Sequence, residues 1–293
     1  MKGTIFISIE SLSGKTGILL NLGLKLQKEG VKVGYFKPVS NMPLKVAEAL
    51  VDQDAVFASQ VLKLKENLAD LSPFVLTANK AFKLLKGEKV TVQERVQSGW
   101  QAVSEGKDVV LVEGCGHVND GRLYQLSAFH LIDMLNLDAI LVLKFSNIFQ
   151  ALDDIFILHD RLQTKLKGVI FNWVEGRHLE VLANLAVPFL EKAGIKSFGY
   201  IPRDESLLAV SVGDLAKSLG GRIICGEEHQ DELVETFMVG AMGQEQALKF
   251  FRRKVNKAVI TGGDRADVQL AALETPTKCL ILTGNYRPAT SVL

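Results

Sequence analysis

One stretch, Ile5–Val39, constrains the fold more than any other: IFISIESLSGKTGILLNLGLKLQKEGVKVGYFKPV. An apolar run, Ile5-Phe6-Ile7, leads into Ser8-Ile9-Glu10-Ser11-Leu12-Ser13-Gly14-Lys15-Thr16. Helical spacing follows at Ile18, Leu19, Leu22 and Leu26 and stops at Gly30. A second apolar run, Val31 to Phe36, ends at Lys37-Pro38. Strand, loop, helix, strand is the order that a phosphate-binding Walker A loop requires. Backbone amides at a helix N-terminus face a phosphate, and the helix dipole favours its charge. Ser11, Leu12, Ser13, Gly14, Lys15, Thr16 and Gly17 are therefore the candidate contacts. Lys15 would reach the terminal phosphates and the Thr16 hydroxyl would ligate Mg²⁺. The alternative is a strand–turn–helix in which GKT arose by chance. The first glycine of the motif is Ile9 here. Glycine supports a backbone that a β-branched residue adopts only at a cost. The loop is thus expected to be tighter, to bind phosphate weakly, or not to bind it, and Ile9→Gly is expected to tighten binding.

The length of 293 residues suits one large domain or two medium ones. A hydrophobic fraction of 47% and a charged fraction of 23% suit a folded soluble protein with a sizeable core. A net charge of +1 gives no reason to expect nucleic acid or an anionic membrane as partner. No apolar run reaches the length of a membrane span, and the N-terminus lacks a signal-peptide layout. Cys115, Cys225 and Cys279 are far apart and form no C-x-x-C, which suits reduced thiols and a cytoplasmic location. The histidines are scattered without metal-ligand spacing.

Further along, Val46–Leu62 has helical spacing and contains Asp52-Gln53-Asp54-Ala55. Val90–Glu105 reads as a helix opened by a Thr91/Glu94 capping box. Val109-Val110-Leu111-Val112-Glu113-Gly114 reads as a buried parallel strand with a carboxylate at its carboxyl end, the end that faces the ligand crevice in open α/β sheets. Strands at 139–143, 167–171 and 197–201 alternate with helices at 148–162 and 179–193. That alternation predicts a mostly parallel sheet flanked by helices. After Pro202 the character shifts: a helix at 211–219, a short strand at 222–225, then a charged connection. Strands near 257–260 and 278–282, with helices at 245–253 and 267–273, make a second, smaller α/β unit. The expected domains are residues 1–208 and 209–293.

Thr16, Lys37, Asp54 and Glu113 stand at element ends and supply what a nucleotide triphosphate with Mg²⁺ needs: hard oxygen ligands and positive charge. The alternative for Glu113 is a residue that caps the end of a strand, and its strand-end placement at the ligand crevice favours function. Gly262-Gly263-Asp264-Arg265, between a strand and a helix, is either an anion or interface site or a tight turn with a surface arginine. Asp264 would cap the following helix.

The GKT loop, Gly34-Tyr35-Phe36-Lys37-Pro38-Val39, Asp54-Ala55, Val110-Leu111-Val112-Glu113-Gly114 and Gly168-Val169-Ile170-Phe171-Asn172 together resemble dethiobiotin synthetase and related P-loop proteins. Residues from about 214 resemble a DRTGG domain, through Val239-Gly240-Ala241-Met242 and Thr261-Gly262-Gly263-Asp264-Arg265. The pair resembles the non-catalytic N-terminal region of long phosphate acetyltransferases and the stand-alone proteins named after it. The resemblance implies a P-loop NTPase-type fold, ATP in the loop, Mg²⁺ on Thr16, Asp54 and Glu113, Asn172 near the adenine, and Lys37 at a substrate. It also implies a DRTGG unit that serves a protein partner or self-association. Ser40-Asn41-Met42-Pro43 and Cys115-Gly116-His117-Val118 depart from the family's substrate-side segments. The second unit ends where DRTGG domains usually run on, as in a shortened variant or a fragment. The leading expectation is a nucleotide-binding regulatory protein with slow hydrolysis at most. The alternatives are an ATP- and Mg²⁺-dependent ligase of the dethiobiotin synthetase type and a degenerate scaffold without nucleotide.

Overall fold

The computed structural model describes residues 2–46, 49–88 and 92–293. The chain divides into two compact units, Met1–Arg203 and Asp204–Leu293.

The first unit is built on a parallel six-stranded sheet. Its strands are β1 (Lys2–Ile7), β2 (Val33–Phe36), β3 (Val109–Glu113), β4 (Asp138–Lys144), β5 (Leu166–Val174) and β6 (Ser197–Pro202). In space they run β6-β5-β4-β1-β3-β2. β1 lies between β4 and β3, and its Ile5, Phe6 and Ile7 are buried. Val110, Leu111 and Val112 beside it are buried too, as expected of strands covered on both faces. Each such side chain contributes about 1.5–3 kcal/mol on leaving water.

Helices cover the sheet. α1 (Lys15–Lys28) follows the GKT loop and buries Leu19 and Leu20. α2 is Gln53–Val61, α3 Gln93–Ser104, α4 Ala128–Leu135 and α5 Ile148–Leu162. α5 buries Ala151, Ile155, Leu158 and Leu162, a single stripe at helical spacing. Residues 179–192 form one more helix, with a π-helical turn at Leu182–Ala186.

One expectation needs correction in this unit, and one falls on a residue outside those described. Val46–Leu62 is not one helix: Pro43–Val46 and Ala49–Asp52 pair antiparallel, and the helix begins only at Gln53. The Asp52 side chain accepts from Ala55 N at 3.0 Å, so it caps the helix and fixes its start. α4 carried no expectation, because its apolar stripe is short. Thr91 of the expected capping box lies outside the described residues, and Val92 stands at the cap of α3.

In the second unit β7 (Thr236–Val239), β8 (Lys257–Gly262) and β9 (Thr277–Thr283) form a parallel sheet in sequence order. α6 (Gln244–Phe251) and α7 (Ala266–Leu273) connect them. Met238, Phe251, Val259 and Val268 form its core. Residues 222–225 are not a strand; the pairing in this region is Val210–Ser211 with Leu233–Val234.

Candidate functional site

The carboxyl ends of β1, β2 and β3 deliver the polar residues to one place. Phe6 and Glu113 are register partners, so the loop after β1 and the carboxylate ending β3 are neighbours. Thr16 Oγ1 donates to Glu113 Oε1 at 2.7 Å. Tyr35, from β2, donates to Glu113 Oε2 at 2.8 Å. Lys37 Nζ reaches Glu113 Oε1 and Asp52 Oδ1, each at 3.3 Å, and bonds Asp54 Oδ2 as well. Ser40 Oγ donates to Asp52 Oδ2. The structure therefore brings Thr16, Lys37, Asp54 and Glu113 together, as the sequence led us to expect. It adds Asp52 and Tyr35, which that reading passed over. The helix-capping position of Asp52, two residues before Asp54, was the signal available for it.

Burial and charge oppose each other in this cluster. Burial lowers the affinity of the Lys37 ammonium for its proton, but Glu113, Asp52 and Asp54 outweigh it and hold the amine above the ordinary lysine range. Burial raises the Glu113 carboxyl above its ordinary value, against Lys37. Thr16, Tyr35 and Lys37 all donate to Glu113, so it stands there as a carboxylate. Burial, with Glu113 beside it, lifts the Tyr35 phenol well above its usual value. Cys115 is pushed up to about 12, by burial first and Asp120 second.

The loop itself is closed on its own groups. Lys15 Nζ donates to Ser8 Oγ and to Gly116 O, the latter at 3.2 Å. Burial lowers its proton affinity. Asn172, at the end of β5, donates through Nδ2 to Ser13 O at 2.8 Å. Gly14 has φ +86°, and a Cβ there would stand 2.2 Å from Asn172 Nδ2, so only glycine fits. Ser11, Leu12 and Gly17 are exposed around the turn. Ser13 is buried, and its Oγ has no hydrogen-bond partner among the described residues.

Ile9 does not adopt the left-handed backbone; among the non-glycine residues of the loop only Leu12 does, with φ 57°. The conformational cost expected of a β-branched residue in place of glycine is therefore not incurred. Ile9 packs against the core instead.

Among the described residues, no group of three or more His, Cys, Asp and Glu side chains is arranged to hold a metal. The oxygen donors gathered here are a hydroxyl and carboxylates around an ammonium, a donor set that suits a hard divalent cation only if the lysine shares or yields its place.

The turn in the second unit is more ordinary. Gly263 is required because a Cβ would stand 2.2 Å from Tyr286 O. Asp264 does not cap α7: Arg265 occupies the cap position. The Arg265 guanidinium is engaged by Asp267 and by Met242 O, at 3.0 and 3.1 Å.

A GKT loop at the carboxyl edge of a parallel sheet, bonded to the carboxylate of the adjacent strand, defines a P-loop α/β domain. The family model of an AAA domain (AAA_26) matches residues 2–211, and that of the DRTGG domain matches residues 214–293. The chain belongs to the AAA_26 family of AAA domains and carries a DRTGG domain after it. It is 22% identical over 309 residues to phosphate acetyltransferase of Synechocystis, covering 100% of this chain and 43% of the relative. It is 28% identical over 118 residues to ATP-dependent dethiobiotin synthetase BioD of Caldicellulosiruptor saccharolyticus, covering 40% of this chain and 49% of the relative. The chain thus spans less than half the length of either. Among solved structures, the MinD cell division protein of Aquifex aeolicus is similar with TM-score 0.43 and 16% identity, over 71% of this chain and 85% of that one. The fold rests on the sheet order, not on that likeness. Among the described residues no helix is long and apolar enough to cross a membrane.

Proposed function

We propose that the protein binds ATP or a related nucleotide with Mg²⁺ at the GKT loop and acts as a regulatory protein, its DRTGG unit serving for interaction. The observation that carries this reading is the Thr16–Glu113 hydrogen bond of 2.7 Å, which joins the loop to the strand-end carboxylate. Amides around Gly14 and the Lys15 ammonium would hold the phosphates. Thr16, Asp54 and Glu113 would hold Mg²⁺, which would neutralise phosphate charge. Asn172 would keep the turn in shape from outside.

The regulatory reading stands ahead of a ligase because Ser40-Asn41-Met42-Pro43 and Cys115-Gly116-His117-Val118, the segments after Lys37 and Glu113, depart from the family's substrate side. The scaffold reading rested on strain at Ile9, and Ile9 is not in the left-handed region.

Calorimetry with ATP and Mg²⁺ on the wild type and on Lys15→Ala tests the proposal. Binding by the wild type that falls at least tenfold in the variant is expected, with no ATP-dependent carboxylation of 7,8-diaminopelargonic acid. No heat with either protein removes the nucleotide; carboxylation at a measurable rate restores the ligase.

A further inference from the structure

Ile9 has a second property. It lines a groove of about 840 Å³ in the first unit, within the range of small-molecule sites, roughly 300–1,000 Å³. One wall is a stripe of α5 carrying Asp154, Ile157 and Arg161, spaced by three and four residues. The segment after β3 brings Arg122, and α4 brings Phe129. Arg122 has no carboxylate or carbonyl partner for its side chain among the described residues, and Arg161 has only the Phe129 ring, 5.5 Å away.

The groove is lined by charges of both signs. Arg161 lies two helical turns, about 10 Å, beyond Asp154 on α5. Asp160 also lines the groove, so its lining carries two guanidinium groups and two carboxylates. Ile9, Ile157 and Phe129 add apolar surface, and His117, Asn119 and Gln150 polar surface, to the same lining. Glycine at position 9 would remove the Ile9 side chain from this lining.

We propose that this groove is a second binding site, for a small organic anion with an apolar body. Its carboxylate or phosphate lies between Arg122 and Arg161, and its body lies over Phe129, Ile157 and Ile9. Guanidinium groups match either anion, and the Phe129 ring already stacks one of them. The site does not depend on a nucleotide in the GKT loop, so it stands or falls separately from the function proposed above.

The test is calorimetry without nucleotide, with hexanoate and phenyl phosphate titrated separately into the wild type and into the Arg122→Gln/Arg161→Gln double variant. Saturable binding of either probe that weakens at least tenfold in the double variant is expected, and the better probe identifies the anion. Asp154→Asn, which removes the opposing charge, is expected to tighten the same probe about twofold. Heats equal to dilution with both probes overturn the proposal, as does equal affinity in the double variant.

Discussion

Replacing Gly14 by alanine tests how the phosphate loop is held. Alanine at φ +86° enters the left-handed region, which costs about 1–2 kcal/mol. Its Cβ would also stand 2.2 Å from Asn172 Nδ2, closer than any real contact, so Asn172 must turn away. That movement breaks its 2.8 Å bond to Ser13 O and leaves a buried acceptor unpaired, about 1–3 kcal/mol more. The single variant should therefore lose about 2–5 kcal/mol. Asn172→Ala alone should lose only the second part. In the double variant the bond can be lost only once, so its deficit should match that of Gly14→Ala rather than the sum. The expected coupling in a double-mutant cycle is then about 1–3 kcal/mol. Urea unfolding of the full chain provides the assay. Trp100 and Trp173, the only two tryptophans, both lie in the first unit, so their fluorescence reports it alone. Deficits that add to within about 0.5 kcal/mol would refute the link between Asn172 and the loop.

Asp52 is expected to matter more for its oxygens than for its charge. Asp52→Ala removes the cap of α2 and a partner of Lys37, a loss of about 2–4 kcal/mol in the same unfolding assay, whereas Asp52→Asn keeps the capping acceptor and loses less. A deficit in the asparagine variant as large as in the alanine one would point to charge instead. Lys37 sets a pH dependence. Its folded-state proton affinity is raised, so its contribution is fully present below the unfolded lysine pKa, about 10.4, and is lost as pH rises through the folded value. The stability gap between wild type and Lys37→Met is thus expected to be flat from pH 7 to 9 and to shrink above about pH 10.4. A gap that shrinks between pH 7 and 9 contradicts the raised value. In the second unit, Gly263→Ala forces a Cβ against the carbonyl of Tyr286 and should cost about 1–3 kcal/mol. Hydrogen exchange should localise that loss to Asp204–Leu293, and loss of protection in β1 or β3 would contradict it.

The parallel sheet could be read directly from the chain because its strands are near-continuous apolar runs, as at Ile5–Ile7 and Val110–Val112, and nothing competes with that pattern. Thr16 and Glu113 could be paired because Glu113 ends a buried strand and Thr16 opens the helix after the loop that leaves the neighbouring strand, so both lie at the carboxyl edge of the sheet. Asp52 could not be valued in that way. Its side chain reaches Lys37 from the end of a strand, Ala49–Asp52, that pairs antiparallel with Pro43–Val46, and helical spacing over Val46–Leu62 concealed that pairing. The Asn172–Ser13 bond spans most of the first unit, and no local pattern announces it. Ile9 misled for a different reason. A motif gives the residue type preferred at a position, but the cost of another type depends on the backbone there, and that backbone is not left-handed.

A crystal structure of the full chain with a non-hydrolysable ATP analogue and Mn²⁺ in place of Mg²⁺ tests the central claim most directly. Phosphate density against the backbone amides of Ser13 to Thr16, with an anomalous manganese peak at coordinating distance from Thr16 Oγ1, is expected. A turn left empty at millimolar analogue, with Lys15 still on Ser8 and Gly116, would contradict it.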